Sequence, residues 1–321
     1  MENIDFSIVI PTYNESRDIA DCLNAISVQN YPKNKFEVII VDNYSQDNTL
    51  NIVNTFSKKI NLKILMNNIK DAEVSKMLGF RKAKGKFFMY LDADMQFSDK
   101  NFIKKMLAPF SDDSSIAGVF IKFLVNKKHP PLTRTLSYDE WQRDPIFSYF
   151  TFGAEEIIQE KREHYYLCKC DTKKIPPQGL MIYKKALIEE YAKNQKQLID
   201  NEIPAFLVSQ GHFNFAFVPD TGVYHFLLRS LKELSHKRIR NLQRTYYPNK
   251  NIRLFKWINW RKDWPKVGIW LIYTHSIILP IFSAIIKALK HKDSCFLNEP
   301  MLNLVSTYAI IYGVLSNIKN E

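Results

Sequence analysis

The sequence predicts an α/β fold built on a mostly parallel sheet. Short apolar runs alternate along the chain with segments whose apolar residues recur at helical spacing, and this alternation is typical of parallel sheets covered by helices on both faces. The 321 residues suffice for one large domain with an appendage, or for two domains. Because 46% of the residues are hydrophobic and 24% are charged, we expect a packed core and no extensive disorder.

Five strands are predicted, each from a short apolar run. They cover residues 6–10, 37–42, 62–65, 86–92 and 116–123. The segments between them show helical spacing, with Ser16 as the candidate N-cap of the first helix. These predicted helices cover residues 16–29, 46–58, 71–83 and 99–108.

Polar clusters fall where three of these strands end, at residues 11–15, 42–45 and 92–94. Ligands of parallel α/β sheets bind at the carboxyl ends of the strands. A sheet with a purely structural role has no need of carboxylates at three such ends. The pattern therefore predicts a ligand site at this edge.

Asp92-Ala93-Asp94 is the cluster with the clearest chemistry. An acid-x-acid pair is common in solvated turns, but this one directly follows an apolar strand. Two carboxylates so placed suit a hard divalent cation that keeps positions open for phosphate oxygens. Such a cation stabilises the negative charge on a nucleoside diphosphate leaving group.

Three segments together resemble family 2 glycosyltransferases of the GT-A fold: SIVIPTYNES, EVIIVDNYSQDNT and KFFMYLDAD. The resemblance is strong over residues 4–125 and extends more softly to 226. It implies a GT-A (nucleotide-diphospho-sugar transferase) domain that uses a nucleoside-diphosphate sugar as donor and Mn²⁺ or Mg²⁺ as cofactor. It also implies transfer of a monosaccharide, with inversion at the sugar carbon.

The resemblance carries over to individual donor-site residues. It implies nucleotide contacts for the segment after the first strand, a base contact for Asp42, a diphosphate contact for Lys76 and metal binding by the acid pair, with Asp94 the direct ligand. At the second cluster the family's VDDGS stands here as Val41-Asp42-Asn43-Tyr44-Ser45, and Lys76 replaces an arginine, so it pairs with phosphate only as a point charge. The donor-binding residues are thus Pro11, Thr12, Tyr13, Glu15, Asp42, Lys76, Asp92, Ala93 and Asp94.

The catalytic base is less clearly marked. Counting back from Gly211 places Asp200 on the family's catalytic aspartate and Ile199 on its usual glutamate neighbour, and Glu202 is the alternative base. An inverting transfer needs one such base to accept the acceptor's proton. His225 is a third metal ligand or a hydrogen-bonded structural histidine. Gln178-Gly179 corresponds to an acceptor-side loop.

The C-terminal part changes character. Residues 232–266 contain eleven Lys or Arg but only two acids, whereas residues 267–286 carry no formal charge. Such a stretch spans about 30 Å as a helix, the thickness of a bilayer core. A second uncharged stretch, 300–318, completes a predicted membrane hairpin. A pair of helices lying in the interface stays open, because a translocated loop disfavours lysines. Those between the stretches are Lys287, Lys290 and Lys292.

Partners and location follow from the charge. The formal net charge of +12 indicates an anionic partner. An anionic membrane accounts for both the basic run and the tryptophans beside it, whereas nucleic acid accounts for the charge alone, so no nucleic-acid partner is predicted. The acidic N-terminal residues are not typical of a signal peptide. The predicted location is the cell membrane, with the catalytic domain on its cytoplasmic side.

We therefore expect a glycosyltransferase acting on a lipid-linked or glycan acceptor at the cytoplasmic membrane face. The predicted domains are a GT-A catalytic domain over 1–230, with a nucleotide-sugar half at 1–125 and an acceptor half at 126–230, then a basic amphipathic juxtamembrane segment over 231–266 and a membrane-associated hairpin over 267–321. Two alternatives remain: a polyprenyl-phosphate sugar synthase, and a non-catalytic membrane scaffold with a degenerate transferase domain.

Overall fold

The computed structural model describes residues 4–175, 180–193, 195–251 and 253–318. The chain forms two compact units. Unit 1 contains Met1–Leu124 and Ala154–His225, and unit 2 contains Val125–Gly153 and Phe226–Glu321.

Unit 1 is an α/β unit whose strands and helices largely alternate. Its elements are β1 (Phe6–Thr12), α1 (Ile19–Ser27), β2 (Phe36–Asp42), α2 (Thr49–Asn54), β3 (Leu62–Met66), α3 (Ala72–Lys82), β4 (Phe87–Tyr90), β5 (Met95–Phe97), α4 (Phe102–Asp112) and β6 (Gly118–Phe120). After the segment that belongs to unit 2 come β7 (Ile158–Lys161), β8 (Tyr166–Lys169), β9 (Met181–Lys184), α7 (Lys185–Lys193), α8 (Glu202–Ser209), β10 (Asn214–Phe217) and β11 (Val223–His225).

The main sheet of the described residues has nine strands in the order β3-β2-β1-β4-β9-β6-β10-β8-β7. Strands β1 to β4 pair in parallel, and all seven residues of both β1 and β2 are buried, as expected for central strands with helices on both faces. The predicted α/β architecture is confirmed. The sheet is mixed, however, because β9 runs antiparallel between β4 and β6, and β7 and β8 add antiparallel pairs at one edge.

Helix α3 packs closely against β1. Gly79 lies over Val9, where an added Cβ would sit 2.3 Å from a valine methyl group, so only glycine permits this approach. The helix begins at an N-cap, Asp71, whose carboxylate accepts the backbone N–H of Val74 at 2.9 Å. Ser75, next to Lys76, donates a hydrogen bond to Asn43 directly after β2, so this turn of α3 lies at the carboxyl end of that strand.

A second, two-stranded sheet joins distant parts of unit 1. Strand β5 pairs antiparallel with β11, and His225 stands opposite Met95. Since β5 begins one residue after Asp94, this pairing brings the last strand of unit 1 to the end of the acid pair.

Unit 2 is helical. Its elements are α5 (Pro131–Ser137), α6 (Pro145–Phe150), α9 (Leu231–Asn241), α10 (Trp260–His275), α11 (Ile278–His291) and α12 (Glu299–Ile318), with short turns at Leu242–Asn249 and Ser294–Asn298. Five leucines from both of its sequence segments form a buried cluster: Leu132, Leu136, Leu228, Leu234 and Leu302. The compact units thus divide the chain near residue 225, close to the predicted boundary at 230, but 125–153 packs with the C-terminal helices and not with an acceptor half.

The C-terminal helices differ from the predicted hairpin. The uncharged stretch 267–286 is not one helix, because α10 ends at His275 and α11 begins at Ile278 after a bend of 79°. Pro280 explains the break, since a proline ring clashes with the carbonyl four residues earlier, here that of Ser276. Among the described residues no single helix has the length and apolar composition to cross a membrane, and one bent pair, α10 with α11, meets that requirement together.

Candidate active site

Three of the predicted site residues meet beyond the end of β4. One ligand atom from each of Asp92, Asp94 and His225 lies within 4.8 Å of the others. The Nε2 atom of His225 is 3.3 Å from Oδ1 of Asp94, and the imidazole is almost fully buried. The β5–β11 pairing produces this contact between residues far apart in sequence.

The donor set suits a divalent cation. Two carboxylates and one imidazole are ligands that a metal such as Mn²⁺ accepts, and three protein ligands leave positions open for phosphate oxygens. Acidic groups are crowded here: burial, followed by the charge of Asp94, raises the pKa of Glu15 to about 8. The residues present therefore fit the predicted cation.

Asp42 lies at the end of β2 and is fully buried. Its carboxylate accepts hydrogen bonds from the Thr12 hydroxyl at 3.0 Å, the Ser45 backbone N–H at 2.8 Å and the Ser45 hydroxyl at 2.6 Å. The structure thus assigns Asp42 a firm role in holding the loop, whereas its contact with a base stays a prediction.

Tyr44 occupies the position at which the family pattern has glycine. Its φ is +58°, in the left-handed region that an aromatic residue rarely adopts. The loop backbone therefore keeps a conformation suited to glycine despite the substitution. Neighbouring Asn43 is buried and accepts hydrogen bonds from Ser75 at 3.1 Å and Asn67 at 3.2 Å, so the amide that replaces the family's second acid ties the loop to α3.

The segment after β1 presents one exposed aromatic side chain, Tyr13, which is 40% exposed. The Lys70 ammonium donates to its hydroxyl at 2.9 Å and lies 4.5 Å from its ring centroid. Pro11 and Thr12 are buried in β1, and the Glu15 backbone N–H donates to Thr49 at 2.8 Å. Lys70 was not predicted from the sequence, where it stands as one lysine among many.

Asp200 and Lys76, the predicted base and diphosphate-binding residue, contact each other. The Lys76 ammonium donates to Asp200 at 2.6 Å and to Glu73 at 3.1 Å, and it lies 4.2 Å from the centroid of the Tyr90 ring. The lysine side chain is only 4% exposed, whereas that of Asp200 is 42% exposed. Asp200 therefore offers a carboxylate that is anchored on one side and open to solvent on the other.

Charges within this cluster shift the pKa values of its members. Burial lowers the pKa of Lys76, but the carboxylates of Asp200, Glu73 and Asp92 outweigh burial and raise it above its usual range. Burial, followed by the charge of Asp200, raises the pKa of Glu73 to about 8, although Lys76 opposes the shift. Asp92 of the acid pair and Asp200, the candidate base, both raise the pKa of Lys76, so the lysine links the two electrostatically.

Glu202, the alternative base, lies in the first turn of α8 and is only 4% exposed. Geometry therefore favours Asp200.

The sequence did not predict Glu73, although its spacing three residues before Lys76 on one helix was a usable signal. Ala93 is buried between the two acids. The predicted acceptor-side loop, Gln178-Gly179, lies outside the described residues.

Comparison with known proteins decides the family. Residues 7–191 match the family model described as glycosyl transferase family 2, and this match covers more than half of the chain. The chain belongs to glycosyl transferase family 2. The resemblance drawn from the three strand-end segments is confirmed.

Relatives of this family 2 chain match over its N-terminal part. The poly(ribitol-phosphate) beta-N-acetylglucosaminyltransferase TarS of Staphylococcus aureus is 34% identical over 119 residues, which are 36% of this chain and 20% of TarS. Glycosyltransferase AglE of Haloferax volcanii is 41% identical over 90 residues, 27% of this chain and 30% of AglE. The chain thus spans well under half the length of these relatives.

Solved structures of GT-A glycosyltransferases share the fold over nearly the whole chain. The mannosyltransferase PcManGT from Pyrobaculum calidifontis, in complex with GDP-Man and Mn²⁺, aligns with a TM-score of 0.58 at 16% identity, covering 97% of this chain and 88% of that one. S. aureus TarS 1–349 aligns with a TM-score of 0.51 at 16% identity, covering 99% and 92%. At this identity the likeness shows the fold alone, and the predicted GT-A fold is confirmed.

Proposed function

We propose that this family 2 chain transfers a monosaccharide from a nucleoside-diphosphate sugar to a lipid-linked or glycan acceptor at the cytoplasmic face of the cell membrane. The observation that carries the proposal is the meeting of Asp92, Asp94 and His225, together with the anchored, open carboxylate of Asp200, which pairs with the same Lys76 ammonium that Asp92 influences. Relatives named as transferring sugars to poly(ribitol-phosphate) and to a dolichyl-linked sugar phosphate support the acceptor class.

In the proposed site Asp92, Asp94 and His225 hold the divalent cation, which supplies positive charge against the diphosphate of the donor. Thr12, Tyr13 and the loop held by Asp42 bind the nucleotide. The Lys76 ammonium, for which the family resemblance implies a contact with the diphosphate, already contacts the carboxylates of Glu73 and Asp200.

The chemical step follows an inverting course in this proposal. The acceptor oxygen forms a bond to the anomeric carbon from the face opposite the leaving group, while the bond from that carbon to the diphosphate oxygen breaks and its electron pair leaves with the nucleoside diphosphate. The acceptor proton passes to Asp200. Lys76 orients Asp200 through the 2.6 Å hydrogen bond, so the carboxylate need not be positioned during the reaction.

Glu73 takes a supporting part in this scheme. Ile199 stands where the family usually has a glutamate beside the base. In the structure Glu73 of α3 supplies a carboxylate to this cluster instead, because Lys76 donates hydrogen bonds to both Glu73 and Asp200. The charge of Asp200, after burial, raises the pKa of Glu73, so the two carboxylates act on each other as well as on Lys76.

The proposal is tested with the full chain, a panel of nucleotide sugars and manganese. We expect one donor to raise the melting temperature only with the cation present, and Asp94→Ala to remove that metal-dependent rise while the unliganded melting temperature stays close to that of the wild type. Hydrolysis of the same donor in manganese tests for catalysis directly. If Asp94→Ala leaves metal-dependent donor binding unchanged, the acid pair does not hold the cation.

The acceptor is tested with membrane lipid extracts and glycan fractions. Transfer to a polyprenyl phosphate, with no transfer to a sugar hydroxyl, would identify the synthase alternative, because an ionised phosphate needs no strong base. Donor binding without hydrolysis or transfer would identify the scaffold alternative.

A further inference from the structure

Helix α11 carries its apolar side outward. Spacing at i, i+3, i+4, i+7, i+8 and i+11 places most of its exposed apolar residues along one side, whereas Pro280 and Ala284 on the other side are buried. On the surface helix of a soluble domain the apolar side faces the core. The exposed apolar residues are between 43% and 75% exposed: Ile278, Leu279, Ile281, Phe282, Ile285, Ile286 and Leu289.

Helix α10 and the bend add to this surface. Trp264, Ile269 and Ile272 on α10 are 59–72% exposed, and Ile277 at the bend is 66% exposed. A cluster of large exposed apolar side chains on adjoining helices is far beyond the scattered exposure that protein surfaces ordinarily show. It marks an interaction surface, which we call the α10–α11 surface.

The charge of the chain is concentrated in the unit that carries this surface. Unit 2 contains 20 Lys or Arg against eight Asp or Glu, whereas unit 1 contains 25 of each. The whole net charge of +12 therefore belongs to unit 2. Arg261, Lys262 and Lys266 are exposed at the start of α10, and Lys290 and Lys292 are exposed at the end of α11.

We propose that the α10–α11 surface inserts into one leaflet of an anionic bilayer, with α11 lying in the plane of the interface. The inference deepens the proposed membrane location by naming the segment, the lipid charge and the mode of attachment. An outward apolar side flanked by lysine and arginine is the pattern of an interfacial helix, whose apolar side enters the bilayer by about 5–10 Å. The basic residues then meet anionic head groups.

The other side of α11 favours this mode over a spanning one. Lys287 is on that side and its ammonium contacts the buried carboxylate of Glu299 at 2.5 Å. A helix surrounded by lipid in the hydrocarbon core presents apolar side chains all round, whereas α11 offers lipid one side only.

The first experiment measures sedimentation of the full chain with phosphatidylcholine vesicles, with and without phosphatidylglycerol. We expect binding that is stronger with phosphatidylglycerol and weaker at high salt. The affinity of the double variant Phe282→Ser/Leu289→Ser for vesicles should be lower by about tenfold or more, because the variant lacks two apolar side chains that enter the bilayer. The matched control, Val28→Ser/Phe213→Ser, removes two exposed apolar side chains of unit 1 and should bind like the wild type.

The charge contribution is separated by Lys262→Glu/Lys266→Glu. This variant should lose roughly fivefold or more in affinity per residue for vesicles containing phosphatidylglycerol, and little for phosphatidylcholine alone. Equal binding of all variants to both vesicles would overturn the proposal. So would a wild-type chain that dimerises without vesicles while Phe282→Ser/Leu289→Ser stays monomeric, because a second copy would then cover the surface.

The mode is tested with a single introduced cysteine. All four native cysteines are buried, so Lys290→Cys provides the accessible thiol. In one-leaflet attachment this thiol reacts with a membrane-impermeant maleimide added outside the vesicles. Protection until detergent is added would show that the pair crosses the bilayer and would overturn the proposal.

Donor binding is measured by thermal shift on the same preparations. A chain that binds donor but no vesicle overturns this inference and leaves the transferase proposal intact. A chain that binds vesicles but no donor supports this inference and overturns the transferase proposal.

Discussion

At the scale of single residues, the contact between Asp200 and Lys76 gives the sharpest expectation. Asp200→Asn keeps the shape of the side chain but cannot accept a proton, so turnover should fall by about a hundredfold to ten-thousandfold while donor and metal affinity change little. Glu202→Gln should have a small effect, because Glu202 is buried in α8. Turnover of both variants with one identified donor checks this. Near-normal transfer by Asp200→Asn would remove Asp200 from the mechanism.

Glu73 gives a prediction about pH. Its pKa is raised to about 8 from an ordinary 4.5, chiefly by burial, so the folded protein binds this proton more tightly than the unfolded chain does. The resulting penalty is absent below about pH 4.5 and grows until pH 8, where it is complete. The free energy of unfolding of Glu73→Gln, relative to that of the wild type, should therefore increase as the pH rises from 4.5 to 8. A constant difference across that range, measured by urea unfolding, would contradict the shift.

The sequence was most informative about site residues that directly follow a predicted strand. Asp92 and Asp94 follow a strand, and the structure brings them to His225 as a candidate cation site. The i,i+3 spacing of Glu73 and Lys76 on α3 was a signal that the sequence analysis did not use. The sequence was uninformative about Lys70, because its contact with Tyr13 joins loops 57 residues apart, which no local pattern records.

At the scale of elements, helix α3 positions the cluster around Lys76. Its N-cap, Asp71, accepts the Val74 N–H at 2.9 Å and an amide N–H of Gln197 at 3.3 Å. Asp71→Ala should cost about 1 kcal/mol of stability and lower turnover through misplacement of Lys76. Asp71→Asn, which keeps a good N-cap, is the control. Equal melting temperatures for the three proteins would show that the cap contributes nothing.

The strands and the C-terminal helices show where pattern reading succeeds and where it fails. The runs FSIVI and EVIIVD became fully buried parallel strands, because a continuous apolar run has few other environments. The uncharged stretch 267–286 was read as one helix, yet it bends by 79° between α10 and α11. Hydropathy counts apolar residues and gives Pro280 no special weight, although its ring is what forbids a continuous helix.

At the scale of the whole molecule, the interleaving of the two units determines what truncation would do. Leu132 and Leu136 lie in sequence between the two parts of unit 1, but they are buried against Leu228, Leu234 and Leu302. Removing all residues after 230 would uncover these leucines, so we expect the truncated chain to bind an apolar dye and to aggregate. A monomeric, dye-negative product would show that 125–153 does not need its helical partners.

This interleaving was hidden from the sequence. No local pattern in 125–153 says which elements pack against this segment. Domain boundaries drawn along the chain assume that neighbours in sequence pack together, and here a segment leaves unit 1 and returns to it at residue 154.

The pairing of β5 with β11 also sets an order of events during synthesis. Asp92 and Asp94 leave the ribosome early, but His225 belongs to the last strand of unit 1 and pairs beside them only after the intervening chain has been made. A nascent chain can therefore build its parallel strands well before the three candidate cation ligands come together. Such long-range closure is slow, because the entropy of a large loop is lost before the contact forms. An incomplete chain released before this point would carry the acid pair without its histidine.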